Sequence, residues 1–282
     1  MRKFIVSDLH GCGDVYYPLM NYLDIICEDE PVTLYINGDL IDRGEQSFDM
    51  LFDVYRRAFL GYHNVKVCYL GGNHELMMYR NLSCYQRKMR FPIFSNWRLN
   101  GGRKIMDQFD HSSMDKIHSY NSFIGNLDIY HIFSEKILDH PILLVHAQAP
   151  KDVNNICTMK IKDNNLSVSK AVWTRSVDDF HIPHHLGKRG FFTIVGHTPL
   201  KEGFSYDEKE NVLNIDGGCS GYALGYQEYS KVPVLEIENE KITILDFNHH
   251  REIVDGFYYD GQFHEMSSHD LDEKRKYLRK LR

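Results

Sequence analysis

The amino-acid sequence predicts an α/β fold built around a parallel sheet. Three short apolar runs, residues 3–7, 31–36 and 65–70, alternate with two longer segments in which apolar residues recur every three or four positions. The short runs are typical of buried strands, and the longer segments, residues 14–27 and 46–60, are typical of amphipathic helices. Strands and helices that alternate in this order pair in parallel through right-handed crossovers.

A polar motif directly follows each of these strands. Residues 8–11 read DLHG, residues 38–44 read GDLIDRG and residues 72–75 read GNHE. Because the carboxyl ends of parallel strands meet at one edge of the sheet, we expect the three loops to lie together. Taken alone, the central motif could be a polar turn with an Asp-Arg ion pair. Its two neighbours make a functional site the better interpretation.

Further strands are predicted in the second half of the chain. Residues 141–145 end in His146, residues 191–195 end in Gly196 and His197, residues 211–215 form another apolar run, and residues 232–247 read as a hairpin around positions 238–240. Residues 76–135, rich in methionine, aromatic and basic side chains, are predicted to be a helical cap insertion. We expect one catalytic domain over residues 1–250 and a C-terminal extension over residues 251–282, with a charged helix at 270–282.

The bulk composition narrows the classes of function. Of 282 residues, 43% are hydrophobic and 26% charged, as in ordinary globular proteins. The formal net charge of -6 argues against a nucleic-acid or anionic-membrane partner, and no apolar run approaches the ~20 residues of a membrane span. Six scattered cysteines predict free thiols in a reducing cytoplasm. These patterns do not specify an oligomeric state.

The polar residues at the predicted strand ends share one chemistry. They are Asp8, His10, Asp39, Asn73, His74, His146 and His197. Carboxylate oxygens and imidazole nitrogens without thiolates suit catalytic divalent ions such as manganese, iron and zinc. Two ions roughly 3.5–4 Å apart can hold a phosphoryl oxygen and generate hydroxide near neutral pH. Such a pair needs a shared ligand, for which Asp39 is the candidate. Spacing alone leaves open which histidine binds metal and which moves a proton.

The motifs at residues 8–11, 38–44 and 72–75, followed by His146 and Gly196-His197, resemble the calcineurin-like metallophosphoesterases of the phosphoprotein phosphatase type. Residues 100–102 (NGG), 173–175 (WTR) and 195–199 (VGHTP) are similar to stretches of the bacterial and phage serine/threonine phosphatases. The resemblance implies a four-layer α/β sandwich of two mixed sheets flanked by helices. Two departures are Ser7, where the family usually has glycine, and Gly71, where many members carry arginine.

The resemblance also implies a role for each candidate residue. The metal ligands would be Asp8 and His10 for the first ion, Asp39 as the bridge, and Asn73, His146 and His197 for the second. The expected metal is manganese, with iron, zinc or nickel as alternatives. His74, held by Asp42, would protonate the leaving group while a metal-bridging hydroxide attacks phosphorus. The substrate phosphate would be held by Arg43, Arg175 and Asn73.

The function that the resemblance implies is that of a phosphomonoester hydrolase acting as a serine/threonine protein phosphatase. The alternative is a symmetrical dinucleoside tetraphosphate hydrolase, so the partner would be a phosphorylated protein or a nucleotide. A nucleic-acid phosphodiesterase is disfavoured because no basic, aromatic track is visible. A catalytically dead binding scaffold would lack a ligand or the acid, and none of these residues is missing.

Overall fold

The structure, a computed structural model, describes residues 2–60, 65–86, 96–110, 112–153, 159–176, 184–229, 231–238, 241–247, 255–259 and 262–265. The elements, in chain order, are β1 (Arg2–Val6), α1 (Gly13–Ile26), β2 (Val32–Asn37), α2 (Ser47–Tyr55), β3 (Lys66–Leu70), α3 (Asn73–Gln86), α4 (Arg103–Asp110), α5 (Met114–Gly125), β4 (Tyr130–Ile137), β5 (His140–Val145), α6 (Leu166–Trp173), β6 (Phe192–Val195), β7 (Ser205–Asp207), β8 (Val212–Asn214), α7 (Cys219–Ala223), β9 (Pro233–Glu238), β10 (Lys241–Asp246), β11 (Asp255–Tyr259) and β12 (Gln262–Glu265). A π-helical turn, Arg56–Leu60, continues α2, and another, Arg98–Gly102, precedes α4.

The strands form two mixed sheets. The first has seven strands in the order β12-β11-β10-β9-β1-β2-β3, and the second has five in the order β4-β5-β6-β8-β7. In the first sheet β1, β2 and β3 are parallel, and in the second β5, β6 and β8 are parallel. The remaining pairs are antiparallel. The predicted α/β fold with two mixed sheets is confirmed.

Alternate residues of the strands face different layers. Phe4 of β1 belongs to the apolar cluster that contains Leu19 of α1, whereas Ile5 belongs to a second cluster with Leu144 of β5 and Ile194 of β6. This two-residue period is that of a strand buried on both faces. On the outer face of the second sheet, the residues of β5 and α6 that share a cluster are Leu143, Val145, Val168 and Val172. The two sheets are thus packed face to face with helices outside them.

The segment predicted as a helical insertion, residues 76–135, has different bounds in the structure. Its first helix, α3, already begins at Asn73, and Tyr130 belongs to β4. β4 pairs with β5 at an edge of the second sheet and buries Tyr130, Phe133 and Ile137. This strand is therefore part of the sandwich. A register shift between Ile132 and Lys136 interrupts its two-residue period, so that its buried residues are three and four positions apart. Residues 87–95 lie outside the described part.

The C-terminal part of the chain extends the first sheet. The hairpin predicted around positions 238–240 is present as β9 and β10, in which Lys241 pairs with Glu238. Beyond residue 250, where the sequence predicted a separate extension, β11 pairs with β10 and β12 pairs with β11. The charged helix predicted at 270–282 lies outside the described residues. Within the residues that are described, we find no helix with the length and hydropathy of a membrane span.

Candidate active site

The candidate site lies where the parallel strands of both sheets end. Asp8, Asp39 and Asn73 follow β1, β2 and β3, and His146 and His197 follow β5 and β6. All five side chains are buried. Ligand sites of α/β sheets are found at this carboxyl edge, so the topology alone brings residues that are far apart in sequence into one place.

The loops at this edge have an unusual backbone. Six non-glycine residues of the site have left-handed φ angles: Asp8 (52°), His10 (45°), Asp39 (49°), Asp42 (72°), Arg43 (67°) and His197 (66°). A left-handed conformation costs an L-residue roughly 1–2 kcal/mol, and such strain is concentrated at functional sites. Gly38 (φ 78°) permits close packing of the loops, since a Cβ there would lie 2.7 Å from both Gly72 Cα and His146 Nδ1.

Two groups of possible metal ligands share Asp39. One consists of His10, Asp39 and His74, and the other of Asp39, His146 and His197; within each group the ligand atoms lie within 4.8 Å of one another. Oδ2 of Asp39 is 3.5 Å from Nε2 of His10, and Oδ1 is 3.5 Å from Nε2 of His146. The two oxygens of one carboxylate therefore face the two halves of the site.

Hydrogen bonds to backbone carbonyls orient the histidine rings. Nδ1 of His10 is 2.9 Å from the Ile41 carbonyl, and Nδ1 of His146 is 2.8 Å from the Asn37 carbonyl. In His197 the bonded atom is Nε2, 3.1 Å from the Trp173 carbonyl. A carbonyl only accepts, so these nitrogens carry the protons and the opposite ring nitrogens have free lone pairs. Histidines that bind metals are held in this way.

The unprotonated nitrogen of His146 lies close to oxygen atoms that are themselves acceptors. Nε2 of His146 lies 3.1 Å from Oδ1 of Asn73 and 3.5 Å from Oδ1 of Asp39. Acceptors that face each other without a donor are unfavourable unless a cation lies among them. Together with the nitrogen and oxygen donor set, this arrangement fits divalent metal ions.

The electrostatics of the buried carboxylates lead to the same interpretation. Burial raises the pKa of Asp8 to about 6, and the neighbouring Asp39 adds to the effect. Burial, followed by the charge of Glu75, raises the pKa of Asp39 well above its usual value. Burial lowers the pKa of His197 to about 2 and that of His10 well below its usual value. Arg43 only partly offsets the shift of Asp39. Neutral imidazoles beside buried carboxylates whose charges are incompletely compensated are suited to metal ions.

Asp42 and His74 form a separate buried pair. Nδ1 of His74 lies 2.7 Å from Oδ2 of Asp42, and the same oxygen accepts a 2.7 Å hydrogen bond from Nε1 of Trp97. Burial raises the pKa of Asp42 well above its usual value, while the Trp97 hydrogen bond and Arg43 oppose the shift. Burial, Arg43 and His146 lower the pKa of His74 well below its usual value. Trp97 lies in the segment predicted as a helical insertion and was not predicted to be a site residue.

Two arginines flank the site. Nη2 of Arg43 is 3.2 Å from Nε2 of His74, and its Nη1 donates to Oγ of Ser220 at 2.9 Å. Arg175 donates to the His197 carbonyl at 2.8 Å. Ser220 was not predicted to be a site residue from the sequence; it follows the glycine-containing turn Asp216-Gly217-Gly218 by two positions.

Glu75 is a further residue that the sequence analysis left without a role. Its Oε2 accepts 2.8 Å hydrogen bonds from the backbone N–H groups of Asp39 and Gly72, and its Oε1 accepts one from the Tyr69 hydroxyl at 2.5 Å. The side chain is fully buried. Glu75 thereby ties the loop after β2 to the loop after β3. The sequence indicates this residue only through its membership of the GNHE motif at residues 72–75.

These residues surround a pocket of about 330 Å³. Asp8, His10, Asp39, Asn73 and His197 line it together with both arginines, while His74, His146 and Asp42 lie buried directly behind it. On the rim are Leu224 and Tyr226, which are 67% and 57% exposed. All ten residues predicted as site residues are thus close together, and their individual roles stay predictions.

Comparisons with known proteins give similarities of several kinds. A bis(5'-nucleosyl)-tetraphosphatase [asymmetrical] of Bacillus velezensis is 37% identical over 88 residues, which are 29% of this chain and 34% of the relative. The alignment thus spans about a third of the relative's length.

Solved structures share the fold at low sequence identity. A cold-active protein-tyrosine phosphatase of Shewanella has a TM-score of 0.55 and 17% identity, covering 89% of this chain and 80% of that one. A protein serine/threonine phosphatase of Saccharomyces cerevisiae has a TM-score of 0.52 and 14% identity, covering 84% and 72%. The family model for calcineurin-like phosphoesterases matches residues 1–235. This chain therefore belongs to the calcineurin-like phosphoesterase family.

Proposed function

We propose that this chain hydrolyses phosphomonoesters with the help of two divalent cations and that its substrates are phosphoserine and phosphothreonine side chains of proteins. The observation that supports this most strongly is the sharing of Asp39 between two groups of histidines. A pocket lined by Arg43 and Arg175 as well as by that carboxylate has the positive charge to receive a phosphate dianion.

The metal ligands in this proposal are those that the family resemblance implies. Asp8 and His10 would hold one ion, Asn73, His146 and His197 the other, and Asp39 both. Manganese is the expected metal. When bound, two divalent cations would polarise the phosphoryl group and supply a nucleophile from water near neutral pH.

The remaining residues handle the substrate and the proton. Arg43 and Arg175 would bind the phosphoryl oxygens, for which Arg43 leaves its present contact with Nε2 of His74. Nε2 of His74 would then be free to take up a proton from solvent, and the imidazolium so formed would pass that proton to the leaving oxygen. Asp42 keeps Nδ1 of His74 protonated through their 2.7 Å hydrogen bond. A positioned acid of this kind typically contributes about 10²–10⁴-fold to the rate.

Dinucleoside tetraphosphates are the second candidate substrates. The exposed Tyr226 and Leu224 on the pocket rim offer a nucleobase an apolar surface, and base–aromatic stacking contributes ~1–3 kcal/mol. The Bacillus velezensis relative carries the name of such an activity. A phosphorylated side chain, by contrast, would need only the pocket itself.

The test is turnover of a phosphoserine peptide against diadenosine tetraphosphate by metal-stripped protein to which manganese has been restored. Preference for the peptide supports the phosphatase proposal. Preference for the dinucleotide replaces it, with ADP as sole product for symmetrical cleavage and ATP plus AMP for asymmetrical cleavage. Tyr226→Ala should reduce turnover of the dinucleotide alone. Hydrolysis of neither substrate would contradict both candidates.

A further inference from the structure

The indole of Trp97 contacts the proposed acid pair from behind. Nε1 of Trp97 donates to Oδ2 of Asp42, the same oxygen that faces Nδ1 of His74, and both distances are 2.7 Å. Trp97 is only 1% exposed, so water cannot replace its hydrogen bond. Oδ1 of Asp42 is buried without a hydrogen-bond partner among the described residues. The rotation of this carboxylate therefore depends on Trp97 and His74.

The segment that contains Trp97 also supports the backbone next to Asp42. The Gly101 carbonyl accepts a 3.1 Å hydrogen bond from the N–H of Arg43. Gly101 has a φ of 98°, and a Cβ there would lie 2.7 Å from Cγ of Arg43. Asp42 and Arg43 both have left-handed φ angles, a conformation that persists only where surrounding contacts enforce it. Residues 97–102 thus contact the side chain and the backbone of this strained pair.

We propose that Trp97 is a positioning residue, which holds Asp42 so that His74 presents Nε2 to the leaving oxygen of the substrate. An indole N–H is only a donor, so Oδ2 of Asp42 must accept from Trp97. Because Oδ2 of Asp42 must present a lone pair to Trp97, it stays unprotonated there, and Nδ1 of His74 must be the donor in their 2.7 Å contact. The second ring nitrogen, Nε2, is then the one available for proton transfer. The proposal rests on the role given above to His74 in phosphoester hydrolysis.

The first test is the dependence of the rate on the leaving group in Trp97→Phe. Protonation of the leaving oxygen matters for phenyl phosphate and phosphoserine, whose leaving groups are poor, and little for p-nitrophenyl phosphate. We expect kcat to fall roughly 10-fold for the poor leaving groups, part of the ~10²–10⁴-fold that a general acid supplies. The fall for p-nitrophenyl phosphate should stay below about 2-fold, with KM unchanged for both.

A matched control is Tyr16→Phe. Tyr16 is also fully buried, and its hydroxyl donates to a carboxylate, Oδ2 of Asp53, at 2.7 Å between α1 and α2. Losing this bond should lower stability without changing the dependence on the leaving group. If Trp97→Phe does not fold, benzothienylalanine at position 97 retains the shape of indole and removes only the N–H.

A second measurement does not require activity. In protein labelled with ¹⁵N-histidine, the ring shifts of His74, assigned with His74→Asn, report which nitrogen is protonated. We expect loss of the single Nδ1–H form in Trp97→Phe and its retention in Tyr16→Phe. Unchanged ring shifts, or an equal loss of rate for every leaving group, would overturn the proposal. If the wild-type protein hydrolysed no phosphoester, the proposed function would fail, and the ring shifts would still decide the role of Trp97.

Discussion

His74 could be a metal ligand or the general acid, and an experiment can distinguish these two roles. Its Nε2 lies 3.9 Å from Oδ2 of Asp39, within the group that also contains His10, and its Nδ1 faces Asp42. If His74 is the acid, His74→Asn should reduce kcat about 100-fold or more for poor leaving groups and leave both metal ions bound. Elemental analysis of the purified variant together with its kcat makes this measurement.

Asp39→Asn is the comparison for this variant. Because Asp39 belongs to both ligand groups, its replacement should remove metal and activity together. Should His74→Asn also lose a metal ion, His74 would be a ligand of the ion beside His10, and the acid would have to be another group.

The sequence could identify individual site residues only where they lie in short motifs. Asp8, Asp39 and His74 follow predicted strands, and their convergence follows from parallel pairing. Trp97 contacts Asp42 across 55 positions and Ser220 contacts Arg43 across 177. Such contacts depend on how the insertion and the short helix α7 pack on the sheet, and this packing leaves no local pattern in the sequence.

Among the loops of the site, the position of Gly38 is one that requires glycine both for its φ angle and for lack of space. Gly38→Ala would combine a left-handed φ of 78° with a Cβ 2.7 Å from Gly72 Cα and His146 Nδ1. Gly190→Ala is a matched control, because its φ is 85° but nothing lies within 4 Å of the added Cβ. Both variants should lose about 1–2 kcal/mol of unfolding free energy from backbone strain.

Only Gly38→Ala should also weaken metal binding and turnover, since the added methyl pushes apart the loops that hold the ligands. Urea unfolding and metal titration of the two variants make the comparison. Equal metal affinity in both would show that the site tolerates displacement of the loop after β2.

Strands and helices with a strong apolar period were predictable within one residue of their bounds. This holds for β1, β2 and β3, which are short apolar runs between polar loops, and for α1, whose apolar residues recur every three or four positions. The predicted helix at residues 46–60 is α2 followed by the π-helical turn Arg56–Leu60. β4 and β7 were missed since their burial depends on neighbouring strands, with exposed or half-exposed positions in most of their length.

Across the whole molecule, the family match confirms the resemblance read from five motifs. Metal binding, which the resemblance to this family implies, would also explain why several carboxylates are buried at one site. Asp8, Asp39 and Asp216 have pKa values raised by burial, and each carboxylate adds to the shift of another. In the metal-free protein the burial and mutual repulsion of these carboxylates lower the free energy of unfolding. Bound cations would remove this destabilisation.

The contribution of these ionisable groups to the stability of the metal-free protein depends on pH. A carboxyl group whose pKa is raised by folding stabilises the protein below its unfolded pKa of about 4, and this contribution is lost as pH rises through the folded value, about 6 for Asp8. The histidines act in the opposite sense: folding lowers the pKa of His10 and His197, so stability is lost as pH falls below about 6.5. Above pH ~6.5 only the effect of the carboxylates remains.

Manganese should therefore stabilise the protein more at pH 8.0 than at pH 6.5. Over this interval the remaining protons leave the ligands, among which Asp8 has a pKa raised to about 6, and metal binding strengthens as they do so. At a free concentration of 100 times Kd the ion contributes about 2.7 kcal/mol, which is read as the difference in Tm with and without manganese. Ionisable groups outside the site change the Tm of the metal-free and the manganese-bound protein equally, so their effect cancels in the difference. Asp39→Asn should show little response to manganese at either pH, and a wild-type difference that shrinks toward pH 8.0 would contradict the assignment of these carboxylates as ligands.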